Sequence, residues 1–165
     1  MATIGVGSAS FLRPARNVRT KQFKVDTSQT IRVGDILVLS ADSDEGNRVK
    51  KAGADPTTDR AIVGVAAEAI TTGATHVAAT DRVLVWLAAG DAEFVVHCQD
   101  AGAIDNDDIS VEYGVVNDST NNIWRLDRTE TTAKVFRVLD LIDAHGDVNG
   151  KLLVHFIAPE RLYHD

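Results

Sequence analysis

The chain has 165 residues, of which 44% are hydrophobic, 25% charged and only 5% aromatic, which excludes intrinsic disorder and predicts one globular domain with an aliphatic core. A formal net charge of -7 argues against nucleic acid as a partner, because broad phosphate binding needs clustered Lys and Arg. No apolar run approaches the roughly 20 residues of a membrane-spanning helix, and the N-terminus lacks the apolar segment of a signal peptide. We therefore expect no membrane partner and synthesis in the cytoplasm.

Positive charge is concentrated at the start of the chain. Residues 1–25 contain five basic side chains and no acidic one, which predicts an extended basic arm before a core domain over residues 26–165. The arm is either a solvated tail or a segment that docks on an acidic surface of a neighbour. Apolar residues between the charges favour docking. The expected contacts are Phe11, Leu12, Arg13, Arg16, Val18 and Arg19.

From Gln22 onward, short β-branched runs alternate with Gly, Asp, Asn and Ser clusters, the pattern of an all-β barrel or sandwich. Helical periodicity is absent apart from room for a turn or two within Asp105–Glu112 or Thr129–Ala133. The predicted strands are Gln22–Asp26, Ile36–Ser40, Arg48–Ala52, Ala61–Ile70, Arg82–Ala88, Glu93–Gln99, Asn122–Leu126, Lys134–Ile142 and Leu152–Ala158.

Polar turns between these strands predict how they connect. Val33-Gly34-Asp35 predicts a turn before a buried strand, and Asp42–Asn47 predicts a hairpin tip. The Gly-Asp turn at 90–91 predicts a hairpin between the strands on either side of it. We expect one barrel-like core, built from Ile36, Leu37, Val63, Val65, Val83, Val85, Phe94 and Val96.

The last two strands predict a C-terminal β-hairpin whose tip passes through Gly146 and Gly150. With a period of two, Lys134–Ile142 is mostly apolar on both faces. One face would then meet something besides its own core, which favours contact with another subunit.

No catalytic or cofactor-binding constellation is recognised. The five histidines lie on different predicted elements, and Cys98 follows His97 on a strand, where neighbouring side chains point to opposite faces and cannot form a dyad. Cys98 is best interpreted as a small buried hydrophobe. Nucleophile-elbow, zinc-protease and Walker motifs are also missing, so we expect no enzyme.

Two acidic stretches invite comparison with calcium loops. Asp105, Asp107 and Asp108 are followed by Ile109 and Ser110 where an EF-hand needs a ligand and a glycine. The second stretch, His145–Gly150, which overlaps the acidic segment Asp143–Asn149, has Asp147 and Asn149 in alternation but begins with His145 and has Phe156 where the bidentate Glu belongs. Both are interpreted as turns, although a metal at either place stays open.

The order of motifs in residues 31–98 resembles small capsid decoration (cement) proteins of tailed bacteriophages. The matching motifs are Gly34-Asp35 before an apolar strand, Lys51-Ala52, Ile62-Val63-Gly64-Val65-Ala66, Val83-Leu84-Val85-Trp86 and Gly90-Asp91-Ala92-Glu93-Phe94. The resemblance implies a homotrimer on the capsid exterior that binds the major capsid protein and holds neighbouring coat subunits together.

Other functions remain open at this point. A head-fibre base or a minor tail protein would also be a virion part, but a fibre base needs a receptor-binding domain or a repetitive stalk. A ligand-binding barrel or a trimeric β enzyme would need a polar constellation that the sequence does not display.

Overall fold

A computed structural model describes residues 12–40, 48–57, 61–99, 103–118 and 120–157. These residues form thirteen β-strands and one short 3₁₀ helix, so the all-β prediction is confirmed. Each predicted strand overlaps an observed one, although Ala61–Ile70 is interrupted after Ala66. The predicted tip Asp42–Asn47 and Phe11 of the predicted arm lie outside the described residues.

The first structural unit is a closed five-stranded barrel. Its strands are β2 (Thr20–Val25), β4 (Ile36–Leu39), β5 (Arg48–Lys51), β6 (Ile62–Ala66) and β8 (Arg82–Leu87), in the order β2-β5-β4-β6-β8. All neighbours are antiparallel except β2 and β5. Two short strands, β3 (Thr30–Ile31) and β7 (Ile70–Thr71), pair with each other, and Ile31 joins the barrel interior.

The second unit is a six-stranded sheet, called the curled sheet below. Its strands are β1 (Arg13–Arg16), β9 (Glu93–His97), β10 (Glu112–Asp118), β11 (Ile123–Asp127), β12 (Phe136–Leu141) and β13 (Lys151–Phe156), in the order β1-β9-β13-β12-β10-β11. A parallel bridge between Cys98 and Leu126 brings β11 back against the end of β9, so the sheet curls almost into a second barrel. The 3₁₀ helix η1 (Asn106–Asp108) precedes β10.

Strands β4 and β6 belong to both units because both of their faces are buried. Leu37 and Val63 point into the barrel, whereas Ile36 and Val65 pack with the interior of the curled sheet. Alternate side chains on a strand point to opposite faces, so these two strands form the wall between the cores. Their continuous apolar runs are typical of strands covered on both sides.

The expectation of one core is therefore wrong. All eight predicted core residues are buried, but they divide equally between two clusters. The barrel cluster takes Leu37, Val63, Val83 and Val85, and the larger cluster takes Ile36, Val65, Phe94 and Val96. The alternation of apolar residues identified buried positions, but it did not show that neighbouring residues such as Ile36 and Leu37 face different cores.

The predicted hairpin across Gly90-Asp91 is also wrong. Strand β8 already pairs with β2 on one edge and with β6 on the other, which closes the barrel. No edge of β8 remains for β9, so the chain leaves the barrel and β9 pairs with β1 and β13 instead. Gly90 makes this exit with a positive φ of 63°, a conformation that glycine adopts without steric cost.

The C-terminal hairpin is confirmed, since β12 and β13 are antiparallel partners. Their register shifts between Val138 and Asp140, and this β-bulge changes which side chains face inward. Leu141 consequently packs against the same core as Phe136 and Val138. The two-sided apolar pattern of this strand thus largely reflects the bulge and gives little support to an intersubunit face.

The basic segment is part of the fold from residue 12 onward. Leu12 is fully buried in the larger core, and β1 pairs with β9. Strand β2 closes the barrel with Phe23 and Val25 inside. The predicted arm boundary at residue 25 is therefore misplaced, because these interior side chains alternate along a strand that the barrel requires.

Gly64 lies where the backbone of β8 leaves no room for a side chain on β6. A Cβ built at this position would lie 2.1 Å from the Trp86 carbonyl oxygen and 2.9 Å from Val85 Cγ1. Gly64→Ala should therefore lower the free energy of unfolding by about 1–3 kcal/mol, measured by urea denaturation, because the barrel wall must shift to admit a methyl group.

The matched control is Gly73→Ala, since a Cβ at Gly73 meets nothing within 4 Å. That variant should be within about 0.5 kcal/mol of the parent or slightly more stable, because alanine restricts the unfolded chain. Equal effects of the two substitutions would contradict the close approach of β6 and β8.

Candidate functional site

The predicted partner-binding residues divide between the interior and the surface. Leu12 is buried within the molecule's own core and Val18 packs against it. Arg13 is partly exposed, and Arg16 and Arg19 are exposed. Arg16 Nε donates to Glu93 Oε2 at 2.6 Å across the β1–β9 pair. Leu12 and Val18 therefore fix β1 to the fold, and the arginines form the surface that a partner can reach.

Strand β1 is an edge strand of the curled sheet. It pairs with β9 over Arg13, Pro14 and Arg16, with an irregularity between the last two. Proline lacks an N–H group and is confined to such edges. Arg13 and Arg16 thus lie on a short sheet edge that is open on its outer side in the part of the chain that the structure describes, and Arg19 follows just before β2.

The Gly-Asp and Lys-Ala motifs meet at one end of the barrel. Gly34 has a φ of 90° in the turn before β4, and the Arg32 N–H donates to Asp35 Oδ2 at 2.8 Å. The buried Asp35 carboxylate forms an ion pair with Lys51, with 3.1 Å between Asp35 Oδ1 and Lys51 Nζ. These motif residues therefore build the barrel.

The same lysine joins the two structural units. Lys51 Nζ also donates to Asn122 Oδ1 at 2.8 Å, and Asn122 lies in the turn between β10 and β11 with a φ of 53°. One ammonium group thus connects a buried barrel carboxylate to the curled sheet. Nothing in the sequence signals this contact, because the two residues are 71 positions apart.

A second polar group surrounds Asp26 at the end of β2. Burial alone would raise the pKa of the Asp26 carboxyl. The Ser40 hydroxyl, the Thr27 N–H and the neighbouring Arg48 and Lys50 cations outweigh burial and hold this pKa below its ordinary value of 3.8. Asp26 is therefore a carboxylate near neutral pH, and it ties the end of β4 to β2 through Ser40.

The first acidic stretch is a structural cap. Asp105 is the N-cap of η1 and forms a reciprocal capping box with Asp108. Asp108 is buried, accepts from Tyr113 Oη at 2.8 Å and pairs with Arg128 Nε at 3.0 Å. Burial and the Asp108 carboxylate together raise the pKa of Tyr113 above 10.0. The prediction of a turn is confirmed, but the Asp108 carboxylate is buried and already bonded to Tyr113 and Arg128.

The second acidic stretch is the loop between β12 and β13. Asp147 Oδ2 accepts from the Ala144 N–H at 3.1 Å, and the Asp147 carbonyl accepts from the Ile104 N–H at 3.0 Å. His145 Nδ1 lies 3.5 Å from Asp105 Oδ1. The loop and η1 are thus packed together. Within the described residues, no group of three or more His, Cys, Asp and Glu side chains is placed to hold a metal ion.

Cys98 is fully buried in the larger core, as the sequence predicted. The His97 side chain lies instead near the start of the neighbouring strand β13, and its Nδ1 is 3.3 Å from the Asn149 carbonyl oxygen. The two side chains therefore form no dyad.

No protein-family model matches the sequence, and no curated protein is significantly similar to it. Among the described residues, none forms a helix with the length and apolar character needed to cross a membrane.

The Asp26 group gives a pH-dependent prediction. A carboxyl whose pKa is lowered by folding stabilises the fold above its unfolded pKa, and this contribution is lost as the pH falls through its folded pKa. Ser40→Ala should raise the pKa of Asp26 toward 3.8. It should therefore cost about 1 kcal/mol of unfolding free energy at pH 6, and the cost should shrink as the pH falls below 3.8.

Urea denaturation of the parent and variant at a series of pH values measures this difference. In an Asp26→Asn background the cost of Ser40→Ala should not change over the same range, because no carboxyl remains to titrate. A pH-independent cost in the parent background would show that Ser40 acts without Asp26.

Proposed function

We propose that this protein is a structural virion protein that binds the outer surface of a tailed-phage capsid as a trimer and cements neighbouring major capsid proteins. The observation that carries the proposal is the order and spacing of the motifs in residues 31–98, which resemble those of capsid decoration proteins. The proposed partners are the major capsid protein and further copies of this chain.

The folded positions of the motif residues support the proposal. The segment from Thr30 to Leu87 supplies every barrel strand except β2. Within it, Gly34 makes a turn, Asp35 pairs with Lys51, and Gly64 permits the close approach of two strands. The motifs are therefore requirements of one barrel, which is a physical reason for them to occur together in this order.

The mechanism is the addition of binding energy rather than a chemical reaction. A cement protein that contacts two coat subunits stabilises the shell by the free energy of those contacts. When three copies are joined, binding of one copy raises the effective concentration of the other two near the shell. Modest individual contacts are then sufficient for durable attachment.

The sheet edge at β1 is the proposed coat-binding surface. It presents Arg13, Arg16 and Arg19 beside an edge strand, and an extended segment of a coat subunit can pair with such an edge through backbone hydrogen bonds. Exposed ion pairs contribute only about 0–1 kcal/mol each. The arginines therefore set the rate and salt dependence of association, and the edge provides the directional bonds.

The direct test is binding of the purified protein to expanded capsids that lack it. Co-sedimentation should show saturable binding, and bound capsids should resist heat better than bare ones. Arg16→Ala combined with Arg19→Ala should weaken binding about tenfold at physiological salt, because two cations of the edge are removed.

Lys134→Ala with Arg137→Ala is the matched control. Arg137 and Lys134 both pair with Glu112 at the surface, and Arg16 pairs with Glu93, so each variant loses two cations and leaves one glutamate without its ion pairing. The control should bind like the parent. Absence of binding by the parent overturns the proposed function, and equal binding by both variants rules out β1 as the contact surface.

A further inference from the structure

Three polar side chains from distant parts of the chain meet where the barrel adjoins the curled sheet. Lys51 Nζ lies 3.1 Å from Asp35 Oδ1 and 2.8 Å from Asn122 Oδ1. We call these three residues the junction triad. Lysine supplies a primary amine, asparagine a carboxamide and aspartate a carboxylate. An amine beside a carboxamide, with a carboxylate to carry protons, is the set of groups needed to form an amide bond between two side chains.

The amine of the triad is held in place from its backbone outward. Lys51 is the last residue of β5, where it stands in register with Leu37 of the shared wall. Its N–H donates to Gln29 Oε1 at 3.1 Å. Only 24% of its side chain is exposed, although lysine side chains are mostly exposed in proteins. The nitrogen is therefore kept between its two partners rather than extended into solvent.

The carboxylate of the triad is fixed and shielded from water. Only 1% of the Asp35 side chain is exposed. The Asp35 N–H donates to the Arg32 carbonyl at 3.1 Å, and the Asp35 carbonyl accepts from the Ala66 N–H at 2.9 Å. Oδ2 accepts from the Arg32 N–H at 2.8 Å, which leaves Oδ1 as the oxygen that contacts Lys51. Asp35 Oδ1 is therefore placed to accept a proton from the amine.

The carboxamide of the triad belongs to a well-bonded turn. Asn122 has a φ of 53° and lies between β10 and β11. The N–H groups of Thr120 and Asn121 donate to Asp118 Oδ1 at 3.1 Å and 3.3 Å. These bonds fix the turn from which the Asn122 side chain reaches the barrel.

The amine and the carboxamide carbon are close to a reacting distance. The C=O bond of an amide is about 1.2 Å long, so Lys51 Nζ, at 2.8 Å from Asn122 Oδ1, is within about 4 Å of Asn122 Cγ. Reacting atoms meet at about 3–3.5 Å, and a small adjustment of the flexible lysine side chain covers the difference. Holding two groups in this arrangement greatly raises their effective concentration, which offsets the low reactivity of a carboxamide.

We propose that Lys51 and Asn122 form an intramolecular isopeptide bond, with Asp35 as the proton carrier, and that this bond joins the barrel covalently to the curled sheet. Asp35 Oδ1 takes a proton from the Lys51 ammonium group. The electron pair that this frees on Nζ attacks Asn122 Cγ, and a bond forms between Nζ and Cγ.

The leaving group is the side-chain nitrogen of Asn122. The bond between Cγ and Nδ2 breaks, and Nδ2 takes up the proton held by Asp35 and the further proton that Nζ loses as it becomes an amide. The nitrogen leaves as an ammonium ion, and Asp35 is again a carboxylate. Charge and atoms balance in this step, and it consumes no oxidant, reductant or water.

The product keeps the buried carboxylate bonded. Asp35 retains the Arg32 N–H, and the remaining Nζ hydrogen of Lys51 becomes an amide N–H facing Oδ1. The new bond connects two positions 71 residues apart, so it restricts the unfolded chain and resists separation of the two structural units. The inference is independent of capsid binding, and either proposal can fail while the other stands.

Intact mass spectrometry of the denatured full chain tests the bond. The mass should be lower than the sequence mass by one ammonia molecule. Trypsin should release a branched peptide in which residues 51–60 are joined to residues 83–125, because trypsin does not cleave after an acylated lysine. Fragmentation of that peptide should place the branch at Lys51 and Asn122.

Three substitutions remove one member of the triad each. Lys51→Arg keeps a cation beside Asp35 but offers no primary amine, and Asn122→Gly removes the carboxamide at a position whose positive φ glycine adopts freely. Both variants should have their full sequence mass and give no branched peptide. Asp35→Asn retains both reacting groups, and the cross-linked fraction of the purified protein should fall at least about tenfold without the proton carrier.

The matched controls change the neighbouring residue of the same type. Lys50→Arg and Asn121→Gly leave the triad intact and should keep the full loss of one ammonia. Far-UV circular dichroism of every variant checks that the β structure is retained. If Asp35→Asn does not fold, Lys51→Arg and Asn122→Gly still decide whether the bond exists.

A parent chain with its full sequence mass would overturn the inference. A loss of ammonia that persists in Lys51→Arg would also overturn it, because the reaction would then lie elsewhere in the chain. Loss of one water molecule instead of one ammonia would assign the bond to a carboxylate and not to Asn122. Undiminished cross-linking in folded Asp35→Asn would overturn the role given to Asp35.

Discussion

The fold depends on two strands that are buried on both faces. Each of β4 and β6 contributes side chains alternately to the barrel and to the curled sheet. A one-residue slip of either strand would exchange the two sets and leave both cores mispacked. Two features fix the pairing register of β4 and β6. One is the irregularity between Leu37 and Val38. The other is the absence of a side chain at Gly64, where the backbone of β8 is too close for one. The barrel and the curled sheet therefore form one cooperative structure rather than two domains on a linker.

The polar contacts at the junction follow from the same constraint. Asp35 is buried at the end of the shared wall, and a buried carboxylate needs a partner. Lys51 supplies it and continues to Asn122, which fixes the curled sheet relative to the barrel.

The sequence predicted the class of fold, and the eight core residues that it named are all buried, but it did not predict the assignment of strands to units. Alternating apolar residues such as Val83 and Val85 indicate burial, yet their periodicity does not show which of the two cores their side chains enter.

Two strands were missed in the sequence. Strand β1 was missed because Pro14 and its basic neighbours are equally typical of a solvated segment. Strand β10 was missed because Gly114 and its polar end weaken the strand pattern. Gly114 is needed there, since a Cβ would lie 2.3 Å from Glu130 Cγ. Of the proposed coat-binding surface, Arg13, Arg16 and Arg19 could be named from the sequence. The position of β1 at a sheet edge could not, because it exists only through strand pairing.

The most direct test of the proposed structural role in a virion is a cryo-electron microscopy reconstruction of the phage particle whose genome encodes this chain. A cement protein should appear as density outside the shell, bridging neighbouring coat subunits, into which the barrel and the curled sheet fit together as one body. Particles that contain no such density, or that carry the protein only in the tail or inside the shell, would contradict the proposed function.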